Sequence, residues 1–372
     1  VSILTLTGGQ YGSEGKGVIA SKIAPSTDLA VRTGGPNAGH SLIHEGRVWK
    51  MRSIPCAWTN PRCLLVIGAG AVIDPELLIH EVRELEAAGY AVRNRLIVDR
   101  AATPILPIDR TAEGHNSEHP DLLRTRIGST AEGVGAARLR RIWRDPNNWV
   151  SAEEALDGSG ISVAETAPVV NMYTLGGRRV MLEGTQGFGL SLSFGHWPYV
   201  TSANCHAAQL VADAGIGLVV GVPIQNLTVF RAYPIRVGGN SGPLASELTW
   251  EQMRERTGKP DLIEHTTVTG KVRRIGEFDW ELAARAVLIN QPSMLALTFA
   301  DYIDPAVEGV TRWDQLTAPV RVFIDQMEQT LGVPVAYVGT GGPEWSVIDR
   351  TGPVVDSGHP RSGQDNGSPL PS

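Results

Sequence analysis

The chain has 372 residues, 42% hydrophobic and 19% charged, enough for one large domain with a substantial buried core. A formal net charge of -6 gives no electrostatic basis for gripping duplex nucleic acid or an anionic membrane, and no apolar run reaches the roughly 20 residues of a membrane span. Cys56, Cys63 and Cys205 are an odd set without metal-ligand spacing, which suits free thiols in a reducing cytoplasm.

In chain order, the run SILTLT at Ser2–Thr7 reads as a strand and not as a secretion signal. It leads into GGQYGSEGKG at 8–17 and then KGVIASKIA, a helix start. A second glycine-rich loop, RTGGPNAGHSLI, follows. The runs CLLVIGAG, RLIVD, VVNMYTL, RVMLEG, GLVVGVPIQNLTVF and MLALTFADYI read as further strands, several of them apolar on both faces. Between them, Asp74 and Pro75 open a helix over ELLIHEVRELEAAG that Gly89 ends. FDWELAARAVLINQ and VRVFIDQMEQTLG behave alike. The alternation predicts an α/β fold with a mainly parallel central sheet flanked by helices, and ligands at the carboxyl ends of the strands. Residues 1–350 read as one catalytic unit. Residues 351–372, poor in large apolar groups, read as a loosely ordered tail.

A strand, a glycine-rich turn and a helix start form the setting in which backbone N–H groups, a helix N-terminus and a lysine converge on phosphate. The loop departs from the standard P-loop: it is one residue longer, and Gly17 stands where a Mg²⁺-binding Ser or Thr is expected. A plain tight turn is the other reading. In the second loop, His40 follows a glycine and Asn37 precedes it by three; beside a phosphate loop such a histidine can protonate or orient a transferring phosphoryl group.

Taken together, GGQYGSEGKG, NAGH at Asn37–His40, IGSTAEGVGAA, VMLEGTQGFGLSL, WPYVTSANC, YPIRVGG, TVTGKVRRIG and LTFADYID resemble the adenylosuccinate synthetase family over roughly residues 3 to 345. The resemblance implies a P-loop-NTPase-like fold and a two-step ligation. A nucleoside triphosphate phosphorylates the 6-oxygen of a purine monophosphate, and L-aspartate's amino group then displaces that phosphate. It implies that His40 is the acid for phosphoryl transfer and that Gln186 steadies the 6-oxygen. Gly12, Gly15, Lys16, Gly17 and Ser41 would hold the donor's phosphates, with Phe299, Asp301 and Gly341 at its base. Asn37, Thr130 and Thr201 would grip the acceptor's 5′-phosphate, joined by Arg144 from a second subunit of a homodimer, with Val237 near the ribose. Thr269, Lys271 and Arg273 would bind the aspartate carboxylates. Mg²⁺ would meet the Gly39 carbonyl and position 13.

Three departures from the family pattern carry information. Ser13 replaces the aspartate that takes the purine N1 proton and touches Mg²⁺; a neutral hydroxyl cannot be a comparable base, but it leaves room for a 2-amino group. Lys271 replaces an arginine whose planar fork also reaches the ribose 2′-hydroxyl. Phe299 replaces the lysine of the guanine-reading K-x-D. These changes resemble the phage branch of the family, which converts dGMP to N6-succino-2-amino-2′-deoxyadenylate, a precursor of 2-aminoadenine, and they favour ATP or dATP over GTP. An ordinary synthetase acting on IMP with GTP is the alternative, and a catalytically silent nucleotide-binding homologue the second.

Overall fold

The computed structural model describes residues 3–114, 122–218, 221–266 and 270–352. Ten strands make one central sheet: β1 (Ile3–Gly8), β2 (Leu29–Arg32), β3 (Leu64–Ile67), β4 (Leu96–Asp99), β5 (Ser162–Ala164), β6 (Val180–Glu183), β7 (Ile224–Arg231), β8 (Met294–Thr298), β9 (Val335–Gly341) and β10 (Ser346–Asp349). Their spatial order is β10-β9-β8-β7-β1-β6-β2-β3-β4-β5. Every neighbouring pair is parallel except β9 with the edge strand β10. β1 lies in the middle, with Thr5 opposite Leu182 on one side and Asn226 on the other. From it the chain runs outward in both directions, and the reversal leaves a crevice at the carboxyl ends.

The helices follow their caps. Asp74 accepts from Leu77 N at 3.3 Å to open Pro75–Ala87, and Asp279 accepts from Leu282 N at 2.9 Å to open Trp280–Asn290. Ala318–Leu331 stops at Gly332, whose φ of 68° suits a left-handed cap. One expected strand is a helix: VVNMYTL lies within Ala167–Leu175. Its β-branched residues suggest a strand, but Pro168 sits in the first turn, Gly176 follows the last, and Val170 and Thr174 bury one stripe at a spacing of four.

The core divides along the sheet. Ile19, Leu42, Trp58, Leu65, Leu78 and Val82 belong to one cluster, and Phe230, Leu282, Val320, Ile324, Met327 and Val338 to another. A hairpin of His40–His44 and Arg47–Met51 lies against the first helix, α1 (Lys16–Ile23). That contact explains the glycine at position 17. A Cβ there would come within 2.5 Å of the Ser41 carbonyl oxygen, so a P-loop Ser or Thr does not fit. Cys56, Cys63 and Cys205 are free and buried, and burial pushes the thiols of Cys63 and Cys205 up to about 12.

Candidate active site

A cleft of about 1190 Å³ opens over the carboxyl ends of the central strands. It is lined by Gly12, Ser13, Gly15, Lys16, Gly17, Asn37, Gly39, His40, Ser41, Thr130, Gln186, Thr201, Val237, Arg273, Phe299, Asp301 and Gly341. Two expected residues lie apart from it. Lys271 is exposed, and Arg144 is exposed at the end of helix Val134–Trp143 with a φ of 58°. Thr269 is outside the described residues.

The phosphate loop is organised around Glu14. This carboxylate is fully buried; its Oε1 accepts from Gln10 N at 3.1 Å and Gly12 N at 2.8 Å, and its Oε2 sits 2.6 Å from Lys16 Nζ. Lys16 also donates to the Gln186 carbonyl, tying the loop to the segment after β6. Thr298 Oγ1 donates to the Glu14 carbonyl at 2.7 Å, tying it to the end of β8. Ser13 is exposed in the cleft at a φ of 58°, and Gln186 and Phe299 share this left-handed conformation at 54° and 58°. Three left-handed residues thus line the cleft.

His40 is held from behind by Glu183 at the end of β6. Its Nδ1 lies 2.6 Å from Glu183 Oε1, which also accepts from Arg32 Nη1 at 2.9 Å; Glu183 Oε2 accepts from Cys56 N at 2.7 Å. Among the described residues, Nε2 is buried without a partner. Burial, and then the Arg32 guanidinium, lower the His40 pKa to about 4. Burial opposes ionisation of Glu183, but the His40 hydrogen bond and Arg32 outweigh it and bring the carboxyl to about 2. At neutral pH this is a neutral imidazole donating through Nδ1, with a lone pair left on Nε2. His40, Cys56 and Glu183 offer ligand atoms within 4.8 Å of one another, as a metal site would. The guanidinium against Glu183 and a thiol pushed far up by burial make it a hydrogen-bonded node instead.

A second, half-buried carboxylate organises the other side. Glu264 pairs with Arg231 at 2.5 Å and with Arg273 at 2.7 Å, and accepts from the Tyr302 hydroxyl at 3.0 Å. Burial pushes its pKa up, but Arg231 and Arg273 prevail and bring it to about 2. The fully buried Arg231 lies 3.9 Å over the Phe299 ring and donates to the Ser13 carbonyl at 3.4 Å. Positions 13 and 299, two of the three departures from the family pattern, therefore touch one guanidinium. Lys259 caps Asp301 Oδ2 at 2.8 Å.

Elsewhere in the cleft, Gln186 Nε2 donates to Asn37 Oδ1 at 3.0 Å. Glu113 closes the start of helix Val134–Trp143 by accepting from Gly133 N at 2.6 Å and Ala136 N at 2.9 Å. Glu183, Glu264, Arg231, Lys259 and Glu113 are not singled out by motif reading. Only Glu183, in the same EGTQG run as Gln186, has a sequence cue.

Sequence and structure comparisons bear on the family and the fold. A profile of adenylosuccinate synthetase matches residues 5–152 and 148–308. The adenylosuccinate synthetase of Pyrococcus sp. is 36% identical over 352 residues, 93% of this chain and 98% of that protein. That of Methanocaldococcus jannaschii is 37% identical over 355 residues, 94% and 98%. Among solved structures, a cyanophage S-2L succinoaminodeoxyadenylate synthetase bound to dGMP, and to dATP as an energy donor, aligns with a TM-score of 0.77 at 28% identity, over 94% of this chain and 96% of that one. The fully ligated adenylosuccinate synthetase of Plasmodium falciparum, at 20% identity and a TM-score of 0.76 over 94% and 100%, shares the fold. The protein is thus a C–N bond-forming ligase built on a mostly parallel α/β sheet. It belongs to the adenylosuccinate synthetase family.

Proposed function

We propose that this enzyme joins L-aspartate to C6 of dGMP, giving N6-succino-2-amino-2′-deoxyadenylate with release of nucleoside diphosphate and phosphate. The observation that carries the reading is Ser13, a short neutral side chain exposed in the cleft where the family has aspartate. It leaves space beside N1 and C2, and its Oγ can accept from a 2-amino group. The cyanophage synthetase holding dGMP in the same fold supports it.

In the first step the purine 6-oxygen attacks the donor's γ-phosphorus, the nucleoside diphosphate leaves and the N1 proton is released to solvent. The loop N–H groups, Lys16 and Ser41 hold the phosphates; Gln186 orients the 6-oxygen. As anionic phosphates gather beside His40, Nε2 gains a proton and Glu183 stabilises the imidazolium, so the ring can donate to the transferring group. In the second step the neutral aspartate amine attacks C6, the C6–O bond breaks, and the amine's surplus proton leaves with the departing phosphate. Arg273, which lines the cleft, holds an aspartate carboxylate. Asn37, Thr130 and Thr201 grip the 5′-phosphate, and Val237 lies by the deoxyribose.

The residues present fit Mg²⁺ only together with the triphosphate. The loop carboxylate Glu14 is already committed to Gln10, Gly12 and Lys16, which leaves the neutral Ser13 Oγ and Gly39 carbonyl. The ion would neutralise charge on the transferring phosphate. Phe299 can stack on any purine and stands in place of the lysine of the guanine-reading K-x-D, so ATP or dATP is the favoured donor. A homodimer completes the site through Arg144 in trans; the exposed Ile142 and Trp143 (71% and 75%) precede it on one helix and supply an apolar face. Residues 1–350 act as one catalytic unit in the cytoplasm.

The deciding assay offers dGMP or IMP with L-aspartate, Mg²⁺ and ATP or GTP, and follows phosphate release and product mass. Preference for dGMP is expected. Preference for IMP selects the ordinary synthetase, a reading favoured by the 36–37% identity to archaeal enzymes. No turnover with either leaves a silent binder.

A further inference from the structure

At the donor end of the cleft, Lys259 stands between two carboxylates. Its Nζ is 2.8 Å from Asp301 Oδ2 and 2.9 Å from Glu308 Oε2, and all three residues line the cleft beside Phe299. Asp301 has little freedom to turn away. Its Oδ1 is buried against Gly341, where a Cβ would come within 2.8 Å of it, and the φ of 73° there also demands glycine. Glu308 is more open, with its side chain 42% exposed. Along the wall the order is acceptor, donor, acceptor. Two of the three ammonium protons are engaged, and each carboxylate oxygen retains a lone pair.

The edges of the purines differ in this order. From C6 through N1 to C2, adenine presents donor, acceptor and a C–H, whereas guanine presents acceptor, donor, donor. Guanine in the same seat would set O6 against a carboxylate and N1–H against the ammonium. It meets Lys259 only by sliding one group along the wall, which the triphosphate anchored in the loop opposes. A purine with amino groups at both C2 and C6 presents donor, acceptor, donor and matches all three.

We infer that Asp301, Lys259 and Glu308 together read the base of the donor nucleotide, selecting 6-aminopurine triphosphates and favouring a 2,6-diaminopurine triphosphate most. The inference rests on the adenine-type donor proposed above. It assigns selectivity to Lys259, which no motif marks, and makes nucleotides bearing the 2-aminoadenine edge effective donors or competitors at this site.

The test measures kcat/KM for ATP, 2-aminoadenosine triphosphate and GTP, with aspartate and the better acceptor saturating. Equilibrium binding of each triphosphate to the unaltered enzyme is followed by calorimetry. Expected are a diaminopurine donor at least equal to ATP, and both about tenfold or more better than GTP, one charge-assisted hydrogen bond being worth about that factor. Lys259→Met should reduce the ATP-to-GTP ratio about tenfold, and Glu308→Ala should remove the diaminopurine advantage. An unaltered enzyme that prefers GTP overturns the adenine-type donor itself. One that prefers ATP while Lys259→Met keeps the same ratio overturns only the role of Lys259. If the variants do not fold, calorimetry on the unaltered enzyme decides: diaminopurine binding weaker than GTP binding refutes the edge match.

Discussion

Two carboxylates, the buried Glu183 and the half-buried Glu264, organise opposite sides of the same cleft, and both are held near pKa 2. Glu183 shares Arg32 with a histidine whose Nε2 has no partner among the described residues, so it supports a group that can change its charge. Glu264 is saturated by Arg231, Arg273 and Tyr302, so it fixes charges that do not change. The first arrangement suits proton handling and the second suits holding anions and stacking a base. The partners of a buried carboxylate, more than its own pKa, decide which task it serves.

Several substitutions would break or sharpen that contrast. His40→Ala should lower turnover by about a thousandfold, read as phosphate release, because no other described histidine has this backing; near-normal turnover would refute the role. Glu183→Gln should cost somewhat less, about a hundredfold, and should also shift the pH profile, since the amide no longer favours the imidazolium. A rate loss with an unmoved profile would make Glu183 a packing residue only.

Glu264→Gln should act chiefly on stability. It strands the fully buried Arg231 and should destabilise the fold by about 3–5 kcal/mol, measured by denaturant unfolding. An unchanged midpoint would show that Arg231 finds another partner.

Acid should separate the two nodes further. His40 titrates lower folded, at about 4, than its ordinary 6.5, so the unfolded chain binds more protons between those values. Stability from this group is present above pH 6.5 and lost as pH falls toward 4, on the order of 3 kcal/mol. Glu183 and Glu264 are depressed from 4.5, so their contribution is full above pH 4.5 and lost as pH falls through about 2. A stability curve flat from pH 7 to 5 in the unaltered protein would contradict a neutral His40.

The smallest change, Ser13→Asp, should reduce kcat/KM for dGMP about tenfold by crowding the 2-amino group. Unchanged dGMP kinetics would count against the steric reading.

Much of this was legible in the residues. Strand runs apolar on both faces gave the parallel sheet, and Asp74, Pro75 and Gly89 marked helix ends. Glycine-rich loops located the cleft, because close approach to phosphate demands glycine locally. VVNMYTL misled because β-branched content outweighs helix spacing over seven residues. Lys259, Glu264 and Arg231 were illegible because each acts through a partner distant in the chain. Asp301 lies 42 residues from Lys259, and no local pattern encodes a meeting made by the sheet.

The left-handed backbone at Ser13 has a bearing on descent. Aspartate and asparagine tolerate that conformation better than serine does, so the loop already has the shape an aspartate would adopt. A lineage could therefore exchange the two side chains without redrawing the chain around them. Exchange of that one side chain would then alter what the loop presents to the cleft without altering the loop itself, with serine held there against its own backbone preference.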